Sequence, residues 1–386
     1  MSNALNIPTT IQWPDGIDEH VFLNEYWQKK PLLLRQAFPG FDTPLPADEL
    51  AGLSLEEDTT PRLITRNTDG HYELEHGPFN EDRFSTLGAS DWSLLVTDVE
   101  KHIPELSAYL TPFSFLPSWR IDDLMISYAP VGASVGAHID EYDVFLLQAS
   151  GNRRWSIDSQ SDQPRNFVED STLKLIESFN ATDSWELEPG DMLYLPPGVG
   201  HHGVASAEPC TTWSIGFRAP AISDVVIRLS ELITEELPPA RYTDGKLLPA
   251  VPGEITQDAL DRFRQLWQDT ISVDDSQFAS LVARMITETG VAENIQEEEE
   301  ELANNSSAPE LTLYKAPFTQ MAWYGASSKK PDEPVSLFVN GDLFYCSQAL
   351  AIALCGNYPV TLPDDLNNAD SALISQLQEL GCLLSA

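Results

Sequence analysis

The chain is short of basic residues, of long apolar runs and of cysteine, and each shortage excludes something. Its 386 residues carry 22 Lys+Arg against 60 Asp+Glu, a formal net charge of −38. A field of that sign repels nucleic-acid phosphates and draws cationic partners, so no direct DNA or RNA binding is expected. The same acidity also serves solubility or a salty cytoplasm. No stretch approaches the roughly 20 apolar residues of a membrane span. The opening, Met1-Ser-Asn-Ala-Leu-Asn-Ile-Pro, has neither the basic start nor the apolar run of a signal peptide. The expectation is a cytoplasmic protein that does not engage membranes. Cysteine occurs only as Cys210, Cys346, Cys355 and Cys382, with no C-x-x-C pair. That suits buried thiols in a reducing compartment rather than a disulfide framework.

What is present separates into regions by pattern. Up to about residue 220 the chain is rich in Trp, Pro and Gly, with short apolar runs between turn signals. Segments 124–128, 143–148, 154–157, 192–195 and 212–217 read as strands, at a spacing that suggests a β-barrel or sandwich. Segments 18–28 and 91–101 read as helices. Over 221–292 the period changes. Val225, Leu229, Leu232 and Ile233 fall on one helical face, as do Leu260, Phe263 and Trp267, and then Phe278, Leu281, Val282 and Met285. Three helices this short need a partner surface, so this module packs on the barrel or on another copy of itself, and a homodimer is expected. Residues 293–309, with consecutive glutamates Glu297–Glu301, read as a solvated acidic linker. Residues 310–386 regain apolar content. Strands 335–339 and 342–346 flank an Asn340-Gly341 turn, helices are expected at 347–354 and 370–384, and the whole suggests a winged-helix-like domain.

The chemistry centres on His138-Ile139-Asp140 and on His201, which follows Glu188-Pro-Gly-Asp-Met-Leu-Tyr-Leu-Pro-Pro-Gly. On a strand, residues i and i+2 point the same way, so His138 and Asp140 can grip one ion from one face. In a barrel, the strand and tight Pro-Gly turn can return His201 to that ion. Two histidines and one carboxylate on one octahedral face leave positions open, the set that suits non-haem Fe(II). His202 competes as third ligand, but the adjacent position on an extended chain points away. His20, His71, His76 and His102 lack metal-like spacing. If the cosubstrate is 2-oxoglutarate, its far carboxylate needs a buried cation. Arg153 sits on the following strand where that cation belongs, with a bidentate and always-charged grip. Arg154 is expected to face the other way, and Ser127 offers a hydroxyl partner.

Several segments together resemble the JmjC/cupin-like ribosomal oxygenases, and within them the bacterial ribosomal-protein arginine hydroxylases. They are Asp122-Asp-Leu-Met-Ile-Ser, His138-x-Asp-x-Tyr-Asp-Val-Phe, Gly-x-Arg-Arg-Trp, Pro-Gly-Asp-x-Leu-Tyr-Leu-Pro-Pro-Gly-x-x-His and Ser214-Ile-Gly-Phe-Arg-Ala-Pro. The opening segment 22–35 (FLNEYWQKKPLLLR) is similar to that family's entry. The likeness spans residues 10 to about 220 closely, and the later regions match in order. It implies a double-stranded β-helix followed by a helical dimerisation module and a winged-helix-like tail. It also implies Fe(II), 2-oxoglutarate and O₂ as cofactors, with β-hydroxylation of an arginine in a large-subunit ribosomal protein.

An arginine target needs an acidic partner near the iron, and the negative field speeds encounter with a basic ribosomal protein. Asp123 shares strand parity with Met125 and Ser127. Tyr142 shares the metal ligands' face and can pack on a guanidinium, and Ser214 can make one hydrogen bond. Each of the three can equally fill the barrel. The competing readings are the same iron chemistry on a histidine or methyl-lysine target, and a non-redox metal-binding cupin. A DNA-binding regulator fits poorly, because residues 307–386 hold three Lys, no Arg and eight Asp/Glu, a net −5.

Overall fold

The computed structural model describes residues 7–159, 166–169, 173–235, 237–244, 252–288, 313–325, 333–356 and 359–385. They fall into two compact units. The first holds Met1–Ala219 with Tyr314–Pro317 and Gly356–Thr361, and the second holds Pro220–Leu313, Phe318–Cys355 and Leu362–Ala386.

The first unit contains twelve strands among its described residues: β1 (Leu32–Leu34), β2 (Thr60–Arg66), β3 (Tyr72–His76), β4 (Trp92–Thr97), β5 (Ile121–Ala129), β6 (His138–Ile139), β7 (Asp143–Ser150), β8 (Arg153–Asp158), β9 (Asp183–Leu187), β10 (Met192–Leu195), β11 (Gly200–Ala205) and β12 (Cys210–Phe217). Eight form one sheet in the order β1-β10-β7-β12-β5-β4-β2-β3, and four form a second in the order β6-β11-β8-β9. All five strands expected from the sequence are present. β7 and β12 are buried almost throughout, so their apolar runs are continuous because both faces are covered.

Alternation along the central strands sorts side chains between two layers. Phe145 and Leu147 on β7, Met192 and Tyr194 on β10, and Trp213, Ile215 and Phe217 on β12 join one core beneath the N-terminal segments. Val144, Leu146, Leu193 and Leu195 point the other way and meet Trp155, Ile157 and Leu187 of the smaller sheet. The space between the sheets is therefore lined by the inward residues of β5 and β12, namely Asp123, Met125, Ser127, Thr212 and Ser214. This is the double-stranded β-helix of the cupin and JmjC proteins. Helix α1 (Glu19–Glu25) falls inside the expected 18–28. Asp18 caps it by accepting from Val21 N at 2.8 Å, and it buries Phe22 against Trp13, Trp27, Phe145 and Tyr194.

One expectation fails. Segment 91–101 is not a helix but β4 followed by a single turn, α4 (Val99–His102), after α2 (Ala47–Leu53) and α3 (Glu81–Ser85). Asp91 and Asp98 take left-handed backbone angles, φ 66° and 59°, which end any helix at both edges. Between them Ser93, Leu94, Leu95 and Val96 are all buried between β2 and β5, a run that periodicity cannot tell from a buried helix.

The second unit carries α5 (Ile222–Glu235), α6 (Gln257–Ile271) and α7 (Asp275–Thr287), the three helices expected. Asp274 and Gln277 form a capping box at α7. Leu232 is buried and Val225, Leu229 and Ile233 are half-buried on α5, which packs on α7. Strand β13 (Leu313–Lys315) runs from the last residue of one segment of the second unit into Tyr314–Pro317 of the first, and within the second unit strands β14 (Met321–Tyr324), β15 (Val335–Val339) and β16 (Asp342–Cys346) form an antiparallel sheet that packs on α7. The β15–β16 turn has Asn340 at φ 49° and Gly341 at φ 90°, the paired left-handed angles an Asn-Gly hairpin needs. Helix α8 (Gln348–Cys355) matches expectation. Helix α9 (Asn368–Glu379) ends short of residue 384, because Gly381 turns left-handed at φ 68° and residues 383–385 become extended. The acidic segment 293–309 lies outside the described residues. All four cysteines are buried thiols, and among the described residues no helix is long and apolar enough to cross a membrane.

Candidate active site

His138 on β6 and His201 on β11 are direct partners across the smaller sheet. The turn that precedes β11 is tied to the H-x-D segment by Gly198 N–H, which donates to the Asp140 carbonyl at 2.8 Å. Gly198 stands at φ 81°, so glycine is what that turn requires. The result brings His201 Nε2 to 3.4 Å from Asp140 Oδ2 and His138 Nε2 to 4.0 Å from Asp140 Oδ1. One ligand atom from each of the three lies within 4.8 Å of the others. Each ring is held alike. His138 Nδ1 donates to Gly136 O at 3.0 Å, and His201 Nδ1 donates to Val199 O at 3.1 Å. A carbonyl only accepts, so both Nδ1 atoms carry the proton and both Nε2 lone pairs are free for a metal. Burial, and then His138, push His201 down to about 4, so it stays neutral. Two imidazoles with free Nε2 lone pairs and a carboxylate on one side fit a ferrous ion with open positions.

His202, the competing ligand, pairs across the strand with Ser156, and its ring meets Phe179 at 5.9 Å. It points to the opposite face from His201, which pairs with Ile157. Arg153, Trp155 and Ile157 share the His201 face. Arg153 is 2% exposed, its Nη2 donates to Gly203 O at 3.3 Å, and its Nε and Nη1 have no hydrogen-bond partner. A buried cation with two idle donors is a cradle for a carboxylate. Gly203 makes the space, since a Cβ there would sit 2.5 Å from Arg153 Nε and 2.7 Å from the Trp155 ring. Arg154 turns outward to Glu186 at 3.3 Å. Ser127 is buried on the inward face, where its hydroxyl donates to Thr212 O at 3.4 Å.

Asp123, Tyr142 and Ser214 line one cavity of about 270 Å³. Burial raises the Tyr142 phenol, the Asp140 and Asp123 carboxylates add to that, and Arg62 opposes it. Burial also pushes Asp123 up to about 7, helped by Asp122 and Asp98 and opposed by Lys101 and Arg62. Met125 lines the same cavity, as its parity with Asp123 implies, and Asp122, Asp98 and Arg62 line it without having been expected there. Asp122 escaped because strand parity forbids adjacent residues from facing one way. The β5–β12 register slips between Ile215 and Phe217, so Gly216 alone opposes Asp122 and Asp123. That bulge delivers both carboxylates to the cavity, and only Gly216 hints at it in the sequence.

A JmjC domain profile matches residues 108–225, which include every candidate metal and cosubstrate residue. The ribosomal protein uL16 3-hydroxylase of Escherichia coli (strain K12) is 37% identical over 265 residues, 68% of each chain. The chain belongs to the JmjC ribosomal oxygenases. A probable ribosomal oxygenase of Haemophilus influenzae is 37% identical over 219 residues, 56% of this chain and 54% of that one. The structure of E. coli YcfD, a ribosomal oxygenase, in complex with cobalt and 2-oxoglutarate superposes with a TM-score of 0.76 at 27% identity, covering 97% of this chain and 99% of that one. As a JmjC ribosomal oxygenase, this protein is a 2-oxoglutarate-dependent oxygenase that works with Fe(II) and O₂.

Proposed function

We propose that this ribosomal oxygenase hydroxylates the β-carbon of an arginine side chain in a large-subunit ribosomal protein, with uL16 the first candidate. His138, Asp140 and His201 hold the iron, Arg153 grips the far carboxylate of 2-oxoglutarate, and Ser127 lies beside it. When bound, iron and cosubstrate supply the oxidising power that places one oxygen atom of O₂ on a C–H bond while 2-oxoglutarate becomes succinate and CO₂. The chain's own part is binding and aim. Asp123 accepts the guanidinium, Tyr142 packs on its plane, and Ser214 adds a hydrogen bond.

The observation that carries this reading is Asp123 itself, an inward carboxylate with no hydrogen-bond partner among the described residues, in a cavity whose other acidic residues are engaged. Asp122 is held by Arg218 at 2.9 Å, and Asp98 is held by Lys101. A partly buried, unpaired carboxylate awaits a cation. Mass spectrometry of ribosomal proteins from cells with and without the gene tests it. A +16 Da shift on one arginine in the first sample alone is expected, and a shift on histidine with arginine untouched moves the protein to the histidine hydroxylases.

The same reading covers the rest of the chain. It takes 1–220 as the oxygenase domain, 221–292 as a dimerisation module, 293–309 as a linker, and 310–386 as a winged-helix-like domain that docks on protein. It places the enzyme in the cytoplasm as a homodimer.

A further inference from the structure

The cavity that holds Asp123 also holds a cation of the protein's own. Arg62 lies on the inward side of β2, in register with Leu95 of β4, which is in register with Ser127 of β5. Its Nη2 lies 3.2 Å from the sulfur of Met125, the next inward residue after Asp123. Among the described residues, no carboxylate comes within 4.0 Å of the Arg62 guanidinium. A cavity of about 270 Å³ thus contains an unpaired carboxylate and an unpaired guanidinium that do not meet. Had the pocket evolved only to attract cations, a second positive charge inside it would be a defect.

We propose that Arg62 is a specificity-determining residue that works by repulsion, selecting a planar guanidinium over an ammonium on Asp123. The inference rests on the cavity being the guanidinium pocket of the proposed function. Any cation bound to Asp123 has Arg62 as a like-charged neighbour, and in a partly dehydrated cavity that repulsion weakens binding substantially. A lysine ammonium is a compact point charge and takes the whole of it. A guanidinium spreads its charge over a plane, bonds Asp123 through its edge, and can lie flat against the plane of Arg62. The repulsive element therefore costs lysine more than arginine, which is how a site discriminates between two ligands of one charge.

The test measures KM for an arginine peptide and the inhibition constant of the same peptide with lysine in its place. Arg62→Gln and Arg62→Met both remove the charge. Each is expected to lower KM for the arginine peptide and to tighten the lysine peptide further, so that arginine-over-lysine preference falls roughly tenfold. Arg62→Lys keeps the charge and loses the flat face, so KM for arginine is expected to rise. The opposite signs for Gln and Lys separate this role from one in folding, which both would impair. A higher KM in the neutral variants, or an unchanged preference, overturns the inference. Failure of the unsubstituted enzyme to turn over any arginine peptide overturns the guanidinium pocket instead.

Discussion

If His138, Asp140 and His201 hold the iron as proposed, removing any one of them leaves two donors of the three, and among the described residues no other His/Cys/Asp/Glu cluster is placed to substitute. Each alanine variant is expected to lose turnover with its fold intact, as read by circular dichroism, while His202→Ala keeps most activity because that ring faces Ser156 and Phe179. Iron lost from the His202 variant and kept in the His201 variant would reverse the assignment. Arg153 allows a sharper contrast. Taking away one partner of a buried charged pair costs about 3–5 kcal/mol, so Arg153→Ala is expected to raise the KM for 2-oxoglutarate by roughly two to four orders of magnitude. Arg154→Ala, at a residue two-thirds exposed and paired among the described residues with Glu186, should leave it within a factor of two. Equal effects from the two arginines would mean that the cosubstrate lies elsewhere.

At the scale of elements, alternation carried most of what the sequence revealed. His138 with Asp140, Arg153 against Arg154, and Asp123 with Met125 and Ser127 all follow from a period of two, and all appear where that period puts them. What stayed hidden was where the period breaks or cannot be read. The buried middle of β4, Ser93–Val96, gives no alternation, and the bulge opposite Gly216 doubles one position of β5. That bulge makes Gly216 a test of the pocket. A Cβ there would come within 2.9 Å of Asp123 Oδ1, so Gly216→Ala should displace the carboxylate. We expect a several-fold higher KM for the arginine peptide and an unchanged KM for 2-oxoglutarate; an altered cosubstrate KM alone would place the cavity in the wrong role. The turn after β4 offers a pH signature. Glu100 on α4 is buried and accepts from Leu124 N at 2.9 Å, and burial pushes its carboxyl up to about 8 from an ordinary 4.5. The folded state therefore holds a proton that the unfolded chain releases, and this group's contribution to stability falls as pH rises between those values. Glu100→Gln, neutral throughout, should gain in melting temperature over the unsubstituted protein as pH goes from 5 to 8. A constant difference across that range would show that Glu100 is ionised in the fold.

For the whole molecule, charge and a largely exposed apolar helix face are the governing features. A formal charge of −38 would act on the proposed basic ribosomal-protein substrate before contact, so the rate at low substrate should fall as salt shortens the Debye length. The helix face bears on assembly. The α5 stripe that the sequence marked is taken up inside its own unit, where Leu232 is buried and α5 packs on α7. On α6 no residue is buried. Leu260, Phe263, Trp267 and Ile271 recur along one face and are between 42% and 57% exposed. Among the described residues Tyr242 stacks on Phe263 at 4.6 Å and the stripe is otherwise left largely exposed, an apolar face that a second copy would cover at roughly 25 cal/mol for each Å² of apolar surface removed from water. The protein is accordingly expected to sediment as a homodimer at micromolar concentration. Trp267→Arg places a charge in the middle of the stripe, on a residue that stays 57% exposed among the described residues, so it should yield a folded monomer rather than an unfolded chain. Hydroxylation of a short arginine peptide should survive in that monomer, since every candidate site residue lies before residue 220. An unsubstituted protein that sediments as a monomer would refute the dimer, and a Trp267→Arg protein that stays dimeric would move the interface off α6.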